Sequence, residues 1–304
     1  MAHKVRPQTG NIDAAVVFGG INMDIWGRPE GKLIPKDSNP GTVALRPGGV
    51  GRNIAHDLRL LGLEVSLVAA IGGDVYASAI SESCRALGID LSYAPVFPQL
   101  RSSTYLYISD ERGEMQLAVS DMDICSALTA EYAARVLPKL QAGAVVVDTN
   151  LPEETIRYIC ENSGIPVYAD PVSTAKAVKL LPVLHRLSAI KPNALEAEKL
   201  TGEKDPERAA RALVEKGVER VFISLGGRGM IAADKKELLH LPIPPPRLVN
   251  VTGAGDAATA AIVLSGIKRL SLRETAELAL RAGSITCGSD SPNAEELQEI
   301  LKLL

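Results

Sequence analysis

Short apolar runs rich in β-branched residues alternate with helical stretches along most of this chain, and this alternation limits the fold more than any other feature. The clearest runs are Glu64–Val68, Ala144–Val147, Pro166–Ala169 and Val221–Ser224. Helical patterns cover 53–61, 76–87 and 254–264, and the glycines expected to close them are Gly62, Gly88 and Gly266. Such an alternation predicts βαβ units around a mostly parallel sheet, and therefore an α/β fold.

Composition excludes several other classes of protein. The chain has 304 residues, with 33 Lys and Arg against 36 Asp and Glu, a net charge of -3 and 46% hydrophobic residues. This balance is typical of a globular protein with one large domain, and it excludes a disordered, collagen-like or coiled-coil chain. Because the chain is mildly acidic and lacks basic runs, we expect no nucleic-acid partner.

The N-terminal region and the cysteines indicate where the protein resides. The first apolar run, Ala14–Phe18, is too short for a signal peptide or a membrane span, so we expect a cytoplasmic protein without membrane association. Residues 1–12 are interpreted as an arm before the domain. The four cysteines are scattered without metal-ligand spacing, which is typical of buried thiols in a reducing compartment.

Two stretches interrupt the alternation, and both are typical of antiparallel strands. Residues 24–46 are polar, contain three prolines and have no helical period. Within 101–120, runs at Ser103–Ile108 and Met115–Val119 flank a turn at Asp110–Gly113. Together they predict a small sheet inserted in a domain spanning 13–304, where it would act as a lid over a substrate. An edge hairpin without a function is the alternative.

The most informative segment is Asn250–Asp256, which opens a helix rich in small residues. Gly253 and Gly255 allow successive backbone N–H groups to converge at the helix N-terminus, where an anion binds favourably. A carboxylate at Asp256 would repel that anion unless it has a task, such as removing a proton from an attacking hydroxyl. The alternative is a tight turn in which Asp256 only complements the helix dipole.

A second glycine cluster, Gly48–Gly51, also precedes a helix, with Asn53 in its first turn. Neither a Gly-x-x-x-x-Gly-Lys-Ser/Thr phosphate loop nor a Gly-x-Gly-x-x-Gly dinucleotide motif is present, which disfavours a P-loop NTPase and a Rossmann dehydrogenase. Asn53 both donates and accepts hydrogen bonds, which suits a polyol. Asp24 follows the first strand, where it would either bind two sugar hydroxyls or cap its own turn.

Two further segments border the same predicted sheet edge. Asn193 and Glu196 lie on one helix face, and they form either a capping box or a group that organises hydrated Mg²⁺. Ser224–Gly229 ends a buried strand with glycines, which make either a simple turn or room for a nucleotide. The single tryptophan, Trp26, is interpreted as packing within the small sheet rather than as a stacking platform for a base.

Taken in order, three of these motifs resemble those of the ribokinase-like, phosphofructokinase-B type sugar and nucleoside kinases. They are Gly48–Asn53, Asn193–Glu196 and Val251–Asp256, and the resemblance extends from about Ala14 to the C-terminus. It implies a three-layer α/β/α fold with a β-sheet lid, and transfer of the γ-phosphoryl group of Mg-ATP to a hydroxymethyl group. Within the family, the segments similar to those of pseudouridine kinases are Asp37–Gly41, Pro47–Ala55, Asp121–Ile124 and Lys191–Asn193.

The resemblance implies a role for each matching residue. Asp256 would be the base that takes the proton from the substrate's 5′-hydroxyl. The N–H groups that would hold the phosphoryl charge are those of Gly253, Ala254 and Gly255. The residues that would bind the acceptor are Asp24, Gly49 and Asn53 for ribose, and Asn39, Ser103 and Thr104 for the base. Those that would border ATP are Asn193, Ser224, Gly226, Gly229, Thr252, Gly253 and Gly255. Glu196 would order Mg²⁺ through water, and Asn250 and Thr252 would border a monovalent cation.

The leading hypothesis is therefore an ATP-dependent kinase that phosphorylates pseudouridine on its 5′-hydroxyl. Ribokinase or another nucleoside kinase is the alternative enzyme, and a sugar- or nucleoside-binding regulatory protein on the same scaffold is the non-enzymatic alternative. Many members of the family carry Asp where this chain has Asn250, so a requirement for potassium stays open. The lid also offers a face for a homodimer.

Overall fold

The computed structural model describes residues 13–243, 252–289 and 291–303, and these residues form fourteen strands, nine α-helices and five short 3₁₀ helices. The strands, β1 to β14 in chain order, are Ala14–Phe18, Asn22–Pro29, Gly41–Gly48, Glu64–Val68, Ile71–Gly72, Val96–Phe97, Ser103–Ser109, Met115–Asp121, Ala144–Asp148, Val167–Asp170, Ala189–Ile190, Arg220–Ser224, Met230–Ala233 and Leu238–Leu241. The α-helices, α1 to α9, are Val50–Leu60, Val75–Ala86, Ala130–Val136, Glu153–Asn162, Thr174–Ala177, Ala194–Thr201, Pro206–Glu215, Ala254–Ile267 and Leu272–Cys287. The 3₁₀ helices are Asp123–Ala127, Leu137–Lys139, Val178–Arg186, Gly226–Arg228 and Glu295–Leu303.

The central sheet has eight strands in the order β14-β13-β12-β11-β10-β9-β1-β4. Pairing is parallel from β4 through β12. The predicted mostly parallel sheet is therefore confirmed, and the four predicted strands correspond to β4, β9, β10 and β12. Only β12, β13 and β14 pair in antiparallel fashion, at one end of the sheet.

Two hydrophobic cores cover the two faces of this sheet. Along β1, Ala15 and Val17 belong to the core shared with α1, α8 and α9. The alternate residues, Ala14, Val16 and Phe18, belong to the core shared with α3, α4, α6 and α7. Successive side chains of a strand point to opposite faces, so a buried run of this kind requires helices on both sides. The predicted three-layer α/β/α arrangement is confirmed.

The three predicted helices correspond to α1, α2 and α8, but the proposed stop of α8 at Gly266 is wrong. This helix continues through Gly266 to Ile267. A side chain at Gly266 would collide with the hydroxyl end of Tyr168, on the neighbouring strand β10. The glycine therefore permits close packing of the helix on the sheet instead of ending the helix.

The two predicted antiparallel stretches form one four-stranded sheet, in the order β3-β2-β7-β8, here called the small sheet. Each stretch is an antiparallel pair, as predicted, and the two pairs join through parallel pairing of β2 with β7. Trp26 donates to the hydroxyl of Ser109 at 2.9 Å and stacks on Tyr107, with 6.4 Å between ring centroids. This tryptophan therefore packs within the small sheet, which confirms its interpretation.

The remaining predictions concern thiols and membranes. Cys84, Cys125 and Cys160 are buried free thiols, while Cys287 is half-buried. Within 13–243, 252–289 and 291–303, no helix combines the length and the apolar character needed to cross a membrane. The predicted arm at 1–12 lies outside the described residues.

Candidate active site

The carboxyl ends of the parallel strands and the start of α8 bring the predicted catalytic residues together. Gly253 precedes α8 with a φ of 83°, and a side chain there would clash with the carbonyl of Pro292. Only glycine adopts this left-handed conformation at little cost. Helix α8 therefore begins at Ala254, as the sequence predicts. The first N–H groups of a helix have no partner within it and carry the positive end of its dipole. The predicted anion-binding loop is therefore the segment 253–255, at the positive end of this helix.

Asp256 lies in the first turn of α8 and accepts a hydrogen bond from the side-chain amide of Asn53, at 2.9 Å. Asp256 keeps some exposed surface, but its carboxylate is surrounded by protein groups. Burial, reinforced by the charge of Asp170, raises the pKa of Asp256 to about 7, although Asn53 and Lys191 act in the opposite direction. A carboxylate with this pKa is well suited to exchange a proton near neutral pH.

A buried polar network holds Asn53 in place. Its amide oxygen lies 3.4 Å from a guanidinium nitrogen of Arg52, so its amide nitrogen faces Asp256. The same guanidinium donates to Ser83 at 2.8 Å and approaches Asn293 at 3.5 Å. Asn293 in turn donates to the buried carboxylate of Asp57 at 2.8 Å. This arrangement sets the orientation of the Asn53 amide, leaving its second N–H for a ligand.

Lys191, at the end of β11, is a buried cation beside the anion-binding loop. Its ammonium lies 3.4 Å from a carboxylate oxygen of Asp170. A Cβ built on Gly255 would lie 3.2 Å from the same ammonium. Burial alone would lower the pKa of Lys191, but three neighbouring carboxylates outweigh it and raise the pKa above its ordinary value. These belong to Asp170, Glu196 and Asp256.

Asn193 and Glu196 form the capping box at the start of α6. Glu196 donates its backbone N–H to the side chain of Asn193 at 2.9 Å, and its carboxylate accepts from the N–H of Asn193 at 2.8 Å. The backbone of Asn193 also forms an isolated parallel β-bridge with the backbone of Ser224, at the end of β12. The capping interpretation is confirmed, and it leaves one carboxylate oxygen of Glu196 beyond the capping bond. The two predicted roles are therefore compatible.

Asp24 and Gly49 lie on the other side of the same sheet edge. Asn22 donates to the carboxylate of Asp24 at 2.6 Å. Burial raises the pKa of Asp24 above its ordinary value, while Asn22 and Arg52 limit that rise. Gly49 has a φ of 103°, and a side chain there would collide with the turn between β1 and β2. This contact packs the start of α1 against the strand that carries Asp24.

The predicted base-contacting residues are not all brought together. Ser103 and Thr104 pair with Asn22 and Met23 at the root of the small sheet, next to Asp24. Asn39 instead lies in the loop between β2 and β3, where its side chain bonds the backbone of Ile34 in both directions, at 2.8 and 2.9 Å. Its observed contacts close this loop.

The predicted ATP-contacting residues occupy a turn and a helix start. Gly226 and Gly229 have φ values of 60° and 93° and form a tight turn directly after Ser224. Thr252 lies in the turn before α8. Asn250, predicted to border a monovalent cation together with Thr252, lies outside the described residues.

Comparison with known proteins identifies the family. Residues 13–299 match the pfkB family of carbohydrate kinases. The chain belongs to this family. The pseudouridine kinase of Escherichia coli K12 is 34% identical over 293 residues, which cover 94% of each protein. The ribokinase of Bacillus subtilis is 27% identical over 94% of this chain and 98% of its own length. The solved ribokinase of Thermotoga maritima shares the fold, with a TM-score of 0.83 at 22% identity over 96% of this chain and 99% of that one.

As a pfkB-family carbohydrate kinase, the chain is an ATP-dependent phosphotransferase of the sugar and nucleoside kinase type. Its site contains three charged residues to which the sequence analysis assigned no role: Asp148, Asp170 and Lys191. Asp148 accepts from the backbone N–H of Gly20 at 2.7 Å, and burial raises its pKa to about 6. Asp148 and Asp170 end buried strands, and Lys191 directly follows one. A charged residue at the end of such a run was the signal that could have found them.

Proposed function

We propose that this pfkB-family kinase transfers the γ-phosphoryl group of ATP to the 5′-hydroxyl of pseudouridine. The observation that carries the chemistry is the carboxylate of Asp256, held by Asn53 directly beside the N–H groups of the anion-binding loop. The choice of substrate rests on the 34% identity to the pseudouridine kinase of Escherichia coli. The resemblance of the segments around Asn39, Gly49 and Asn193 supports the same choice.

The mechanism needs a base, an anion cradle and an aligned hydroxyl. Asp256 takes the proton from the 5′-hydroxyl as its oxygen bonds to the γ-phosphorus, and the bond from that phosphorus to the β,γ-bridging oxygen breaks to release ADP. The N–H groups of Gly253, Ala254 and Gly255 stabilise the charge on the transferred group. Asp24, Gly49 and Asn53 align the sugar. The small sheet excludes water, which would otherwise compete as acceptor.

The negative charge beside Lys191 suits a hydrated magnesium ion. Asp170, Glu196 and Asp256 supply three carboxylates against one ammonium, so a cation would balance the remaining negative charge. Across the described residues, no group of three His, Cys, Asp or Glu side chains could enclose a metal ion. Mg²⁺ would therefore be held by Glu196 through water and by the nucleotide, where it would neutralise phosphate charge. Potassium beside Asn250 and Thr252 remains part of the proposal.

The proposed base makes the reaction dependent on pH. Because the pKa of Asp256 is raised to about 7, chiefly by burial, the carboxylate is protonated and inactive at lower pH. We expect kcat to rise about tenfold per pH unit up to about 7 and then level off. The Asn53→Ala variant removes a hydrogen bond that favours the charged form, so its profile should shift to higher pH. A wild-type profile that is flat from pH 5 to 8 would contradict this assignment.

A substrate panel tests the proposed function. ADP release is measured with Mg-ATP and pseudouridine, uridine, adenosine, ribose or fructose 6-phosphate, with and without potassium. We expect selective turnover of pseudouridine. Selective turnover of ribose or of another nucleoside would instead establish the alternative kinase of the same family. A protein that binds a nucleoside tightly without releasing ADP would be the regulatory alternative.

We also propose that the small sheet forms a homodimer through the face opposite Asp24. The strand register places two apolar rows on that face: Leu45, Ile25, Leu106 and Val119, and Val43, Gly27, Ile108 and Leu117. Five of these residues have 42–67% of their surface exposed. Contiguous apolar surface of this kind marks an interaction site, and a second copy supplies an equivalent face.

A single charge on this face should separate the proposed dimer. Val119→Glu would place an unpaired carboxylate in the interface, so we expect a dimer for the wild type and a monomer for the variant in light scattering after size exclusion. Val75→Glu is the matched control, because Val75 is 83% exposed at the start of α2, outside this face. A monomeric wild type at micromolar concentration would contradict the proposed dimer.

A further inference from the structure

A second polar cluster lies after β9 and β10, apart from the residues assigned so far. Lys176, in α5, donates to the side-chain oxygen of Asn150 at 2.6 Å. Lys179 lies three residues later and donates to the backbone carbonyls of Thr149 and Leu151, at 2.9 and 2.8 Å. The two lysines therefore differ. Lys179 holds the loop after β9 in place, whereas the ammonium of Lys176 contacts a side-chain amide and, within the described residues, shows no second hydrogen bond.

The position of Asn150 connects this cluster with the acceptor side of the site. A side chain at Gly20 would collide with the amide of Asn150, so Asn150 packs directly on the turn that leads into β2 and Asp24. Gly20 also donates its N–H to Asp148. Asn150 itself is buried, and its backbone N–H is bonded to Asp148 at 2.8 Å. The amide is therefore held rigidly beside the predicted ribose-binding strand.

Lys176 lies toward the predicted base-binding end of the same site. Burial raises the pKa of the Cys125 thiol to about 11, and the charges of Lys176 and Lys179 both oppose that rise. Cys125 contacts the hydroxyl of Ser103 at 3.9 Å. Ser103 begins β7 and pairs with Asn22, two residues before Asp24. Asn150 and Lys176 thus lie between the sugar side of the site and the root of the small sheet.

The loop that leads into α5, the helix of Lys176, has a strained backbone, which favours a functional position. Val172 has a φ of 61°, which is an unfavourable conformation for a β-branched residue. Its N–H donates to the carboxylate of Asp170 at 2.9 Å, which links this loop to Lys191. Strained backbone that is held by its surroundings occurs preferentially at binding and catalytic sites.

We propose that Asn150 and Lys176 form a specificity site that binds a carbonyl oxygen on the base of the nucleoside acceptor. This inference rests on the proposed nucleoside kinase function. The ammonium has three donors and no acceptor; one donor is directed to Asn150, so the others suit a ligand oxygen. The buried carboxylate of Asp148, two residues before Asn150, disfavours a phosphate dianion here. A neutral carbonyl fits the site better, and a sugar without a base has none to offer.

The test compares acceptors with and without a base. We expect Lys176→Met to lower kcat/KM for pseudouridine about 10- to 100-fold, mainly through KM, and to leave the lower kcat/KM for ribose nearly unchanged. Lys176→Arg should restore part of the loss, since it keeps the charge and the donors. Because Asn150 positions Lys176, the double variant Asn150→Ala with Lys176→Met should be no worse than the stronger single variant. Lys199→Met, at an exposed position on α6, is the matched control.

Three outcomes distinguish this inference from the proposed function. A wild type that neither binds nor phosphorylates any nucleoside overturns the proposed function, and the specificity site with it, before any variant is made. A wild type that uses pseudouridine while Lys176→Met is unaffected overturns the specificity site alone. Equal losses for pseudouridine and ribose, or a lowered Tm that accounts for the loss, would show that Lys176 is only structural and would likewise overturn it.

Discussion

Replacing Asp256 by Asn should lower kcat about 1000-fold while leaving the fold intact. Asn has nearly the same shape and can still accept the hydrogen bond from Asn53 that Asp256 accepts at 2.9 Å. What it cannot do is take a proton from the attacking hydroxyl. Base catalysis of this kind contributes roughly 100- to 10,000-fold to rate, so the loss should appear in kcat and much less in KM. Steady-state kinetics at pH 8 would measure it.

The stability of the same variant supplies the control. Burial raises the pKa of Asp256 in the folded protein above its ordinary value, so the folded state binds the proton more tightly than the unfolded state does. The stability gained in this way is present at low pH and is lost as pH rises from about 4 through about 7. Asn has no ionisable proton and therefore places no negative charge in this buried position at pH 8. The variant should thus unfold at the same or a higher denaturant concentration. Retained turnover in a folded variant would contradict the role of Asp256.

Replacing Gly253 by Ala should lower kcat about 100-fold and also reduce stability. Gly253 has a φ of 83°, and a Cβ would clash with the carbonyl of Pro292. Relief of that clash requires the loop to move, and the N–H groups before α8 would then lose their alignment with the phosphoryl group. Loss of one such donor costs about 100- to 1000-fold in other enzymes. We expect the free energy of unfolding to fall by about 1–3 kcal/mol.

Gly164→Ala is the matched control for this prediction. Gly164 is exposed, and a Cβ there would meet open space. The free energy of unfolding should therefore change by less than about 0.5 kcal/mol, with kcat unchanged. If Gly253→Ala folds and retains wild-type kcat, the anion-binding loop does not act in phosphoryl transfer.

The central sheet and the start of α8 could be predicted from the sequence because both depend on local pattern. Buried strands such as β4 and β9 appear as apolar runs, and the turn at Gly253 requires a residue that tolerates positive φ. The parallel pairing of β2 with β7 could not be predicted, because it joins segments about eighty residues apart. The two stretches were expected to join in one small sheet, but turn residues do not show in which direction their strands pair.

The charged residues around the site likewise could not be predicted from local sequence pattern. Asp148, Asp170 and Lys191 lie at the ends of three different strands, and only the spatial order of β9, β10 and β11 places them along one edge. Asn193 and Glu196 show the opposite case, since a capping box is visible locally while any second role depends on distant neighbours. The sequence pattern wrongly predicts a helix stop at Gly266, because the residue that requires a glycine there, Tyr168, lies almost a hundred residues away.

Identification of the product tests the central claim most directly. The wild-type protein is incubated with Mg-ATP and pseudouridine, and the nucleoside product is examined by phosphorus–proton correlation NMR. We expect one phosphorylated product, formed in equal amount to ADP, with its phosphorus coupled to the two 5′ protons. Phosphate on another hydroxyl, or ADP formed with free phosphate and unmodified pseudouridine, would contradict it.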